Sequence, residues 1–359
     1  MSRSRWRENP GSSMTEILEQ LRDFAAGIRR KPAMYFGRRG SPAIPLMTRG
    51  LIDAVLATAG KKYRGPIVVS VTGKGRRQAI SVEFAALAST VFSHARLDGF
   101  LQSMTTQPAY ELGSAAAGSR QFAMESCDGQ RRALLEIQHG FQVATETTPS
   151  PLPPSLRVVF QPEPTLFDCL SHDGLYNLAG NLRDLSLLHP GLATHFTADS
   201  LAGELRYFHQ HGLKSLLFED DHARWPLHPG CLSFKGTAKN MRVEGHLRFL
   251  HAGLPHVRSY VNGHPAQGAA HLEGLGAALL ELFPDPSLGC RRVSFVTNPD
   301  TDAKIELPHP FLAAMQLQLA EPRYYGPTRD VLCGDEVREF VRCAASETLR
   351  KQWENLRAP

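Results

Sequence analysis

Ile28-Arg-Arg-Lys-Pro-Ala-Met-Tyr-Phe-Gly37 stands between two helical patterns. Upstream, Ile17, Leu18, Leu21, Phe24, Ala25 and Ile28 recur at helical spacing, which predicts a helix over Met14–Ile28. Pro32 stops it. Downstream, Leu46–Ala59 predicts a second helix ending at Gly60. Ile67–Val71 and Ala79–Phe84 alternate or run β-branched around Gly73-Lys74-Gly75, the signature of a β-hairpin. Gln121–Ser126 and Arg132–His139 flank Asp128-Gly129, a second hairpin signal.

Farther along, Thr147–Pro154 holds four prolines in eight residues and reads as a loop. Leu156–Gln161 reads as a strand, Leu175–Leu188 as a helix, and Leu201–Leu217 as carrying a further helix. Met241–His251 and His256–Val261 read as strands, Leu272–Phe283 as a helix, Gln316–Leu319 as a short strand and Ser346–Leu356 as a terminal helix. Such an order predicts α+β architecture, with a boundary near 215–230. The chain's 359 residues suffice for two domains at roughly 100–200 residues each. With 42% hydrophobic residues the composition is that of a globular protein and excludes a disordered chain.

Forty basic and 35 acidic residues leave a formal charge of +5, which permits a nucleic-acid partner without demanding one. Lys61, Lys62, Arg64, Lys74, Arg76 and Arg77 form a stretch without an acid among them, the candidate phosphate-backbone contact. No C-x-x-C pair occurs among the six cysteines, so free thiols are expected. The Arg-rich N-terminus lacks an apolar core and no long apolar run follows, so the expectation is a cytoplasmic chain with no membrane span. There is no P-loop, G-x-G-x-x-G, H-E-x-x-H or G-x-S-x-G motif. His209-x-His211 has no Cys or carboxylate at ligand spacing and is not taken as a metal site.

Six segments in fixed order carry a family resemblance. Ile28–Gly37 resembles the "V-R-K-R-P-x-M-Y-I-G" segment of type IIA topoisomerase B subunits, the gyrase B and topoisomerase IV B family. Arg157-Val-Val-Phe-Gln-Pro-Glu-Pro-Thr-Leu-Phe167 resembles "R-F-x-P-D-P-x-I-F", and Leu182-Arg-Asp-Leu-Ser-Leu-Leu-His-Pro-Gly-Leu192 resembles "L-R-E-L-A-F-L-N-P-G-L". His211-Gly-Leu-Lys214 resembles "G-G-L-K/R". Ser259-Tyr-Val-Asn262 with His271-Leu-Glu-Gly274 resembles "S-F-V-N … G-G-T-H-x-x-G". Glu321-Pro-Arg-Tyr-Tyr-Gly-Pro-Thr-Arg329, followed by Asp335-Glu-Val-Arg338, resembles "D-P-x-F-x-x-Q-T-K". The resemblance implies an N-terminal arm and first helix over 1–27, a Bergerat (GHKL-type) ATPase-like domain over 28–220 and a ribosomal-S5-like transducer domain over 221–359. The family's toprim domain has no counterpart in this sequence, so the chain alone is expected not to cut DNA.

The residues that carry chemistry depart from the family. Its Glu and Asn stand four apart on one helix, where the Glu activates water and the Asn holds Mg²⁺. Here Arg49 falls at the Glu position and Asp53 at the Asn position. Arg49 does not deprotonate and is no general base, while Asp53 is a candidate Mg²⁺ ligand. Sliding the register to make Asp53 the base leaves Ala57 as the metal ligand. In the D-x-G-x-G box Phe84 falls at the Asp, with Glu83 one residue off and no glycine between 76 and 98. The Gly-rich lid falls near Pro108–Gly118, where Ala109-Tyr-Glu-Leu-Gly113 stands instead. Arg329 replaces the transducer-loop Lys and Pro327 its Gln; Arg329 and Thr328 are candidate nucleotide contacts. The resulting expectation is a gyrase B-like, dimerising or partner-binding module with no catalytic residue intact and no cofactor. The alternative is a divergent ATP- and Mg²⁺-binding topoisomerase subunit paired with a separate cleavage chain.

Overall fold

The computed structural model describes residues 14–36, 43–59, 63–87, 104–105, 110–138, 142–219, 225–266, 268, 270–283, 293–298, 303–325 and 331–357. The chain divides into two compact units, one of Met1–Ser186 with Gly191–Phe208, the other of Leu187–Pro190 with His209–Pro359.

The first unit is built on an eight-stranded sheet: β1 (Ile67–Thr72), β2 (Ala79–Ala85), β3 (Ser119–Cys127), β4 (Arg131–Gln138), β5 (Gln142–Pro149), β6 (Ser155–Pro162), β7 (Ala193–Ala198) and β8 (Glu204–Phe208). Their order is β5-β4-β3-β6-β2-β1-β7-β8. Every pairing is antiparallel except β1 with β7. Ile67, Val69 and Val71 face the core with Ile80, Val82 and Phe84, as the period of two demands. Against that face pack α1 (Met14–Arg30), α3 (Ala43–Ala59), α4 (Tyr110–Ala117) and α5 (His172–Leu188); the short α2 (Pro32–Phe36) begins at Pro32. Ile17, Leu21, Ala25 and Ile28 form the buried stripe of α1. Arg29 donates to the carbonyls of Ala117 and Ser119, both at 3.0 Å, and so satisfies the C-terminal end of α4.

The second unit carries β9 (Leu232–Ala238), β10 (Met241–Phe249), β11 (His256–Val261), β12 (His264–Pro265) and β15 (Phe311–Leu319) in the order β12-β11-β15-β10-β9. Two further ladders are β13 (Val293–Asn298) with β14 (Ala303–Leu307), and β16 (Tyr324–Tyr325) with β17 (Val331–Leu332). A short helix α6 (Leu216–Glu219) precedes the sheet, and α7 (Ala270–Leu282) and α8 (Asp335–Arg357) pack together on one face. Gly274 permits that approach, because a Cβ there would lie 2.4 Å from the Arg338 carbonyl of α8. Asn262 and Gly263 both have positive φ (50° and 86°), as a two-residue hairpin turn requires. The Asn262 side chain also donates to the Leu319 carbonyl at 2.9 Å and accepts from its amide at 2.8 Å.

Several elements differ from the sequence reading. The stretch Leu201–Leu217, read as carrying a further helix, holds strand β8, then a 3₁₀ turn (Gly212–Ser215) and only the start of α6. Leu205 and Tyr207 are half-buried while Glu204, Arg206 and Phe208 are exposed, a period of two that an edge strand satisfies. The predicted loop at 147–154 loses its start to β5, where Pro149 is tolerated at the end of an edge strand. The predicted four-residue strand at 316–319 is the nine-residue β15, and α8 begins eleven residues before Ser346. β7 and β9 are additions that the sequence pattern does not announce.

Candidate functional site

The residues that matter for nucleotide chemistry come from α3, α4, α5 and the end of β2. α3 is buried nearly all round, and Arg49 is only 4% exposed. Its Nε donates to Asp53 Oδ2 at 2.8 Å, one turn along, and its Nη1 donates to the Asn181 carbonyl of α5 at 3.3 Å. The guanidinium is thus committed to positions inside the fold. Asp53 shares an oxygen with a fixed cation, which repels a second cation at the same carboxylate. The donor set therefore does not fit the Mg²⁺ that the resemblance implies.

α4 occupies the place where the Gly-rich lid was expected; its residues 112–117 are buried and it packs on α3. Residues 106–109 lie outside the described residues. Glu111 Oε2 sits 3.2 Å from the point where Gly50 would carry a Cβ, so the carboxylate lies directly over α3 beside the Arg49–Asp53 pair. Burial first, and then the Asp53 charge, hold the Glu111 carboxyl above its ordinary range. Gly113 is fixed by contact, since a Cβ there would fall 2.0 Å from the Met104 carbonyl.

At the end of β2 the structure places Phe84, with no exposed surface, edge-to-face on Tyr63 with centroids 6.0 Å apart. The Tyr63 hydroxyl lies 2.9 Å from the Pro66 carbonyl and 3.0 Å from that of Ala85; burial and then Glu83 raise its pKa. Glu83 points to the opposite, exposed side of the sheet, as alternation predicts. Ala86 has φ 57°, the left-handed conformation that glycine adopts freely, at the position of the family's first glycine after the Asp. Leu87 is buried.

The described residues of the basic stretch, Arg64, Lys74, Arg76 and Arg77, do not form one face. Arg64 precedes β1 and donates to the Tyr63 carbonyl, whereas Lys74, Arg76 and Arg77 lie beyond its other end. A six-residue strand separates them by about 20 Å. Lys61, Lys62, Thr328 and Arg329 lie outside the described residues. His209 pairs with Glu219 at 2.7 Å, and among the described residues no group of three or more His, Cys, Asp or Glu is arranged to hold a metal. No described helix is long and apolar enough to cross a membrane.

Glu111, Asn181 and Tyr63 are site residues that the sequence does not single out. Contacts of Glu111 and Asn181 with α3 bridge separate helices, and no local spacing announces them. Tyr63, 21 residues before Phe84, carries no motif.

The first unit is an eight-stranded sheet with helices packed on one face, and a second unit of sheet and helices follows it. Comparison with solved structures places the fold. Over 96% of this chain it superposes on 92% of the 43K ATPase domain of Thermus thermophilus gyrase B, solved in complex with an aminocoumarin (TM-score 0.70, 19% identity). It also matches the gyrase B protein of Myxococcus xanthus, covering 92% of this chain and 96% of that one (TM-score 0.71, 20% identity). In sequence it is 22% identical to the gyrase B protein of Clostridium acetobutylicum over 355 residues, 93% of this chain and 54% of that protein. It is 27% identical to gyrase B of Eisenibacter elegans over 202 residues, 54% of this chain and 41% of that protein. The chain thus spans about half the length or less of these relatives. No protein-family profile matches it. In fold the chain resembles the ATPase-domain region of these gyrase B proteins.

Proposed function

We propose that the chain is a gyrase B-like module that does not hydrolyse ATP and works by pairing, with itself or with a topoisomerase subunit. The observation that carries this reading is the Arg49–Asp53 ion pair, buried on its arginine side and half-buried at its carboxylate, at the positions of the family's base and metal ligand. Loss of a general base alone costs typically about 10²–10⁴ in rate. Phe84 adds a core ring where the adenine-reading carboxylate belongs. Calorimetric titration with a non-hydrolysable ATP analogue and Mg²⁺, beside a mass determination in solution, tests it. The expected result is no detectable heat of binding and a dimer mass; micromolar binding, or a strict monomer with no topoisomerase partner, overturns it. One observation favours the second reading, a divergent ATP-binding subunit working with a separate cleavage chain. Glu111 places a carboxyl of raised pKa beside Asp53, where a displaced base would stand.

For a contact with DNA, the described residues of the basic stretch that stand together are Lys74, Arg76 and Arg77. All three are exposed on a 3₁₀ turn whose ends are fixed, by the Gly73 amide on Asp199 Oδ2 at 2.8 Å and by the Gln78 side chain on the Leu170 backbone. Replacing the three by alanine should reduce the slope of log affinity against log salt by about 2.7. An unchanged slope on duplex DNA removes the turn from the interface.

A further inference from the structure

A hydroxyl, an imidazole and a carboxylate stand in succession across β9 and β10 of the second unit. Strand register sets Ser233 directly opposite His246, and Glu244 lies two residues back on β10, so all three share one face. Ser233 Oγ is 2.8 Å from His246 Nδ1, and His246 Nε2 is 3.4 Å from Glu244 Oε1. The imidazole is buried, whereas Ser233 and Glu244 are half-buried. Lys235, opposite Glu244 on β9, holds the same carboxylate oxygen at 2.9 Å.

This order of groups fixes the proton. The bonds from His246 and Lys235 keep Glu244 ionised, its pKa lowered to about 2. A carboxylate facing Nε2 favours the neutral tautomer with its proton there, which leaves the Nδ1 lone pair to accept from the Ser233 hydroxyl. The serine backbone is held as well. Gln352 of α8 accepts from the Ser233 amide at 2.8 Å and donates to its carbonyl at 2.7 Å, on the open side of the edge strand β9. A nucleophile, a base in contact with it and a group that orients the base are the parts of an activated hydroxyl. Placed on strands, they keep their positions better than they would on loops.

We propose that Ser233 is a nucleophilic serine that takes an acyl group from a carboxylic ester. Ser233 Oγ bonds to the ester carbonyl carbon while its proton passes to His246 Nδ1. The bond from that carbon to the leaving alcohol oxygen then breaks, and the alcohol departs with the proton from Nδ1. Water repeats the sequence on the acyl-serine, which releases the carboxylic acid and restores the hydroxyl. Lys235 is the cation on this face for the negative charge that develops on the carbonyl oxygen. Glu244 is a positioning residue. The site lies within the second unit and is independent of the fate of ATP at α3.

The probes are p-nitrophenyl acetate and an alkyl fluorophosphonate, whose fluoride Ser233 Oγ displaces at phosphorus. Both are applied to the whole chain, and the modified peptide is located by mass spectrometry. Exposed Cys169 and Cys343 also react with aryl esters, so Ser233→Ala is the reference. Acetyl and phosphonyl groups on Ser233 are expected, with p-nitrophenol released faster than from Ser233→Ala. His246→Gln should slow both reactions by about a hundredfold or more, as loss of a general base does. Glu244→Gln should slow them less and, in nitrogen NMR of the imidazole, move the ring from the Nε2–H tautomer to a mixture. Should His246→Gln melt early, the wild-type labelling and the Glu244→Gln tautomer still decide. No label on Ser233, equal labelling of a folded His246→Gln, or a wild-type ring carrying its proton on Nδ1 overturns the assignment.

Discussion

Lowering the pH from 6.5 to 4 should strip about 3 kcal/mol from the stability of the second unit through one imidazole. His271, at the start of α7, has no exposed surface. The Ser259 hydroxyl gives its only proton to the Ala266 carbonyl at 2.6 Å, so His271 Nε2, 2.9 Å from Ser259 Oγ, must be the donor in that contact. Nδ1 is buried without a partner, and the ring is neutral in the fold. Burial lowers its pKa from 6.5 to about 4. As pH falls, the unfolded chain takes up the proton first. Stability is therefore complete above the unfolded value, declines through the window between 6.5 and 4, and levels below it. The gap between those two values, at about 1.36 kcal/mol per pH unit, gives the figure of about 3 kcal/mol. Glu244, lowered to about 2 by its bonds to His246 and Lys235, contributes stability that is present above its unfolded value of 4.5 and lost only below it, so the two windows overlap little. Urea unfolding at pH 4, 5, 6 and 7 for the wild type and His271→Gln reads the effect. The wild type should show the extra slope between 4 and 6.5. Parallel curves would mean that the imidazole is charged in the fold.

Restoring the family's carboxylate at the end of β2 should be as damaging. Phe84→Asp removes a fully buried ring that packs on Tyr63 and puts an ionised group in its place. Loss of a core Phe alone costs about 3–5 kcal/mol, and an unpaired buried carboxylate adds its desolvation. A loss of at least about 4 kcal/mol is expected in urea unfolding, with no gain of nucleotide binding. A variant within about 1 kcal/mol of the wild type that binds an ATP analogue would show the ring to be an insert in an open pocket rather than part of the core. Phe84→Leu, which keeps an apolar side chain, separates the charge effect from the loss of packing.

The architecture is legible where the local period is clean. Ile17, Leu21, Ala25 and Ile28 announce α1, and the alternation of β1 and β2 announces their pairing. β15 reads too short in the sequence because Phe311–Met315 is buried on both faces of a central strand, which erases the alternation. β8 is hidden because three apolar residues, Leu213, Leu216 and Leu217, extend a helical pattern back over residues that lie in an edge strand. In the candidate site, the positions of Arg49, Asp53 and Phe84 can be read from the resemblance. That Arg49 and Asp53 pair can be read from their spacing of four on one helix face. That Glu111 lies over Gly50 cannot, because the contact joins α3 to α4 and depends on the absence of one Cβ.

Arg29 gives the opening segment a mechanical meaning. One side chain spans 88 residues of sequence to Ala117 and 90 to Ser119. A tug on α1 therefore reaches α4 and the start of β3 through this guanidinium as well as through the Phe24 ring on Tyr110, short-circuiting the chain between them. Whatever pulls on α1 pulls directly on the helix that carries Glu111.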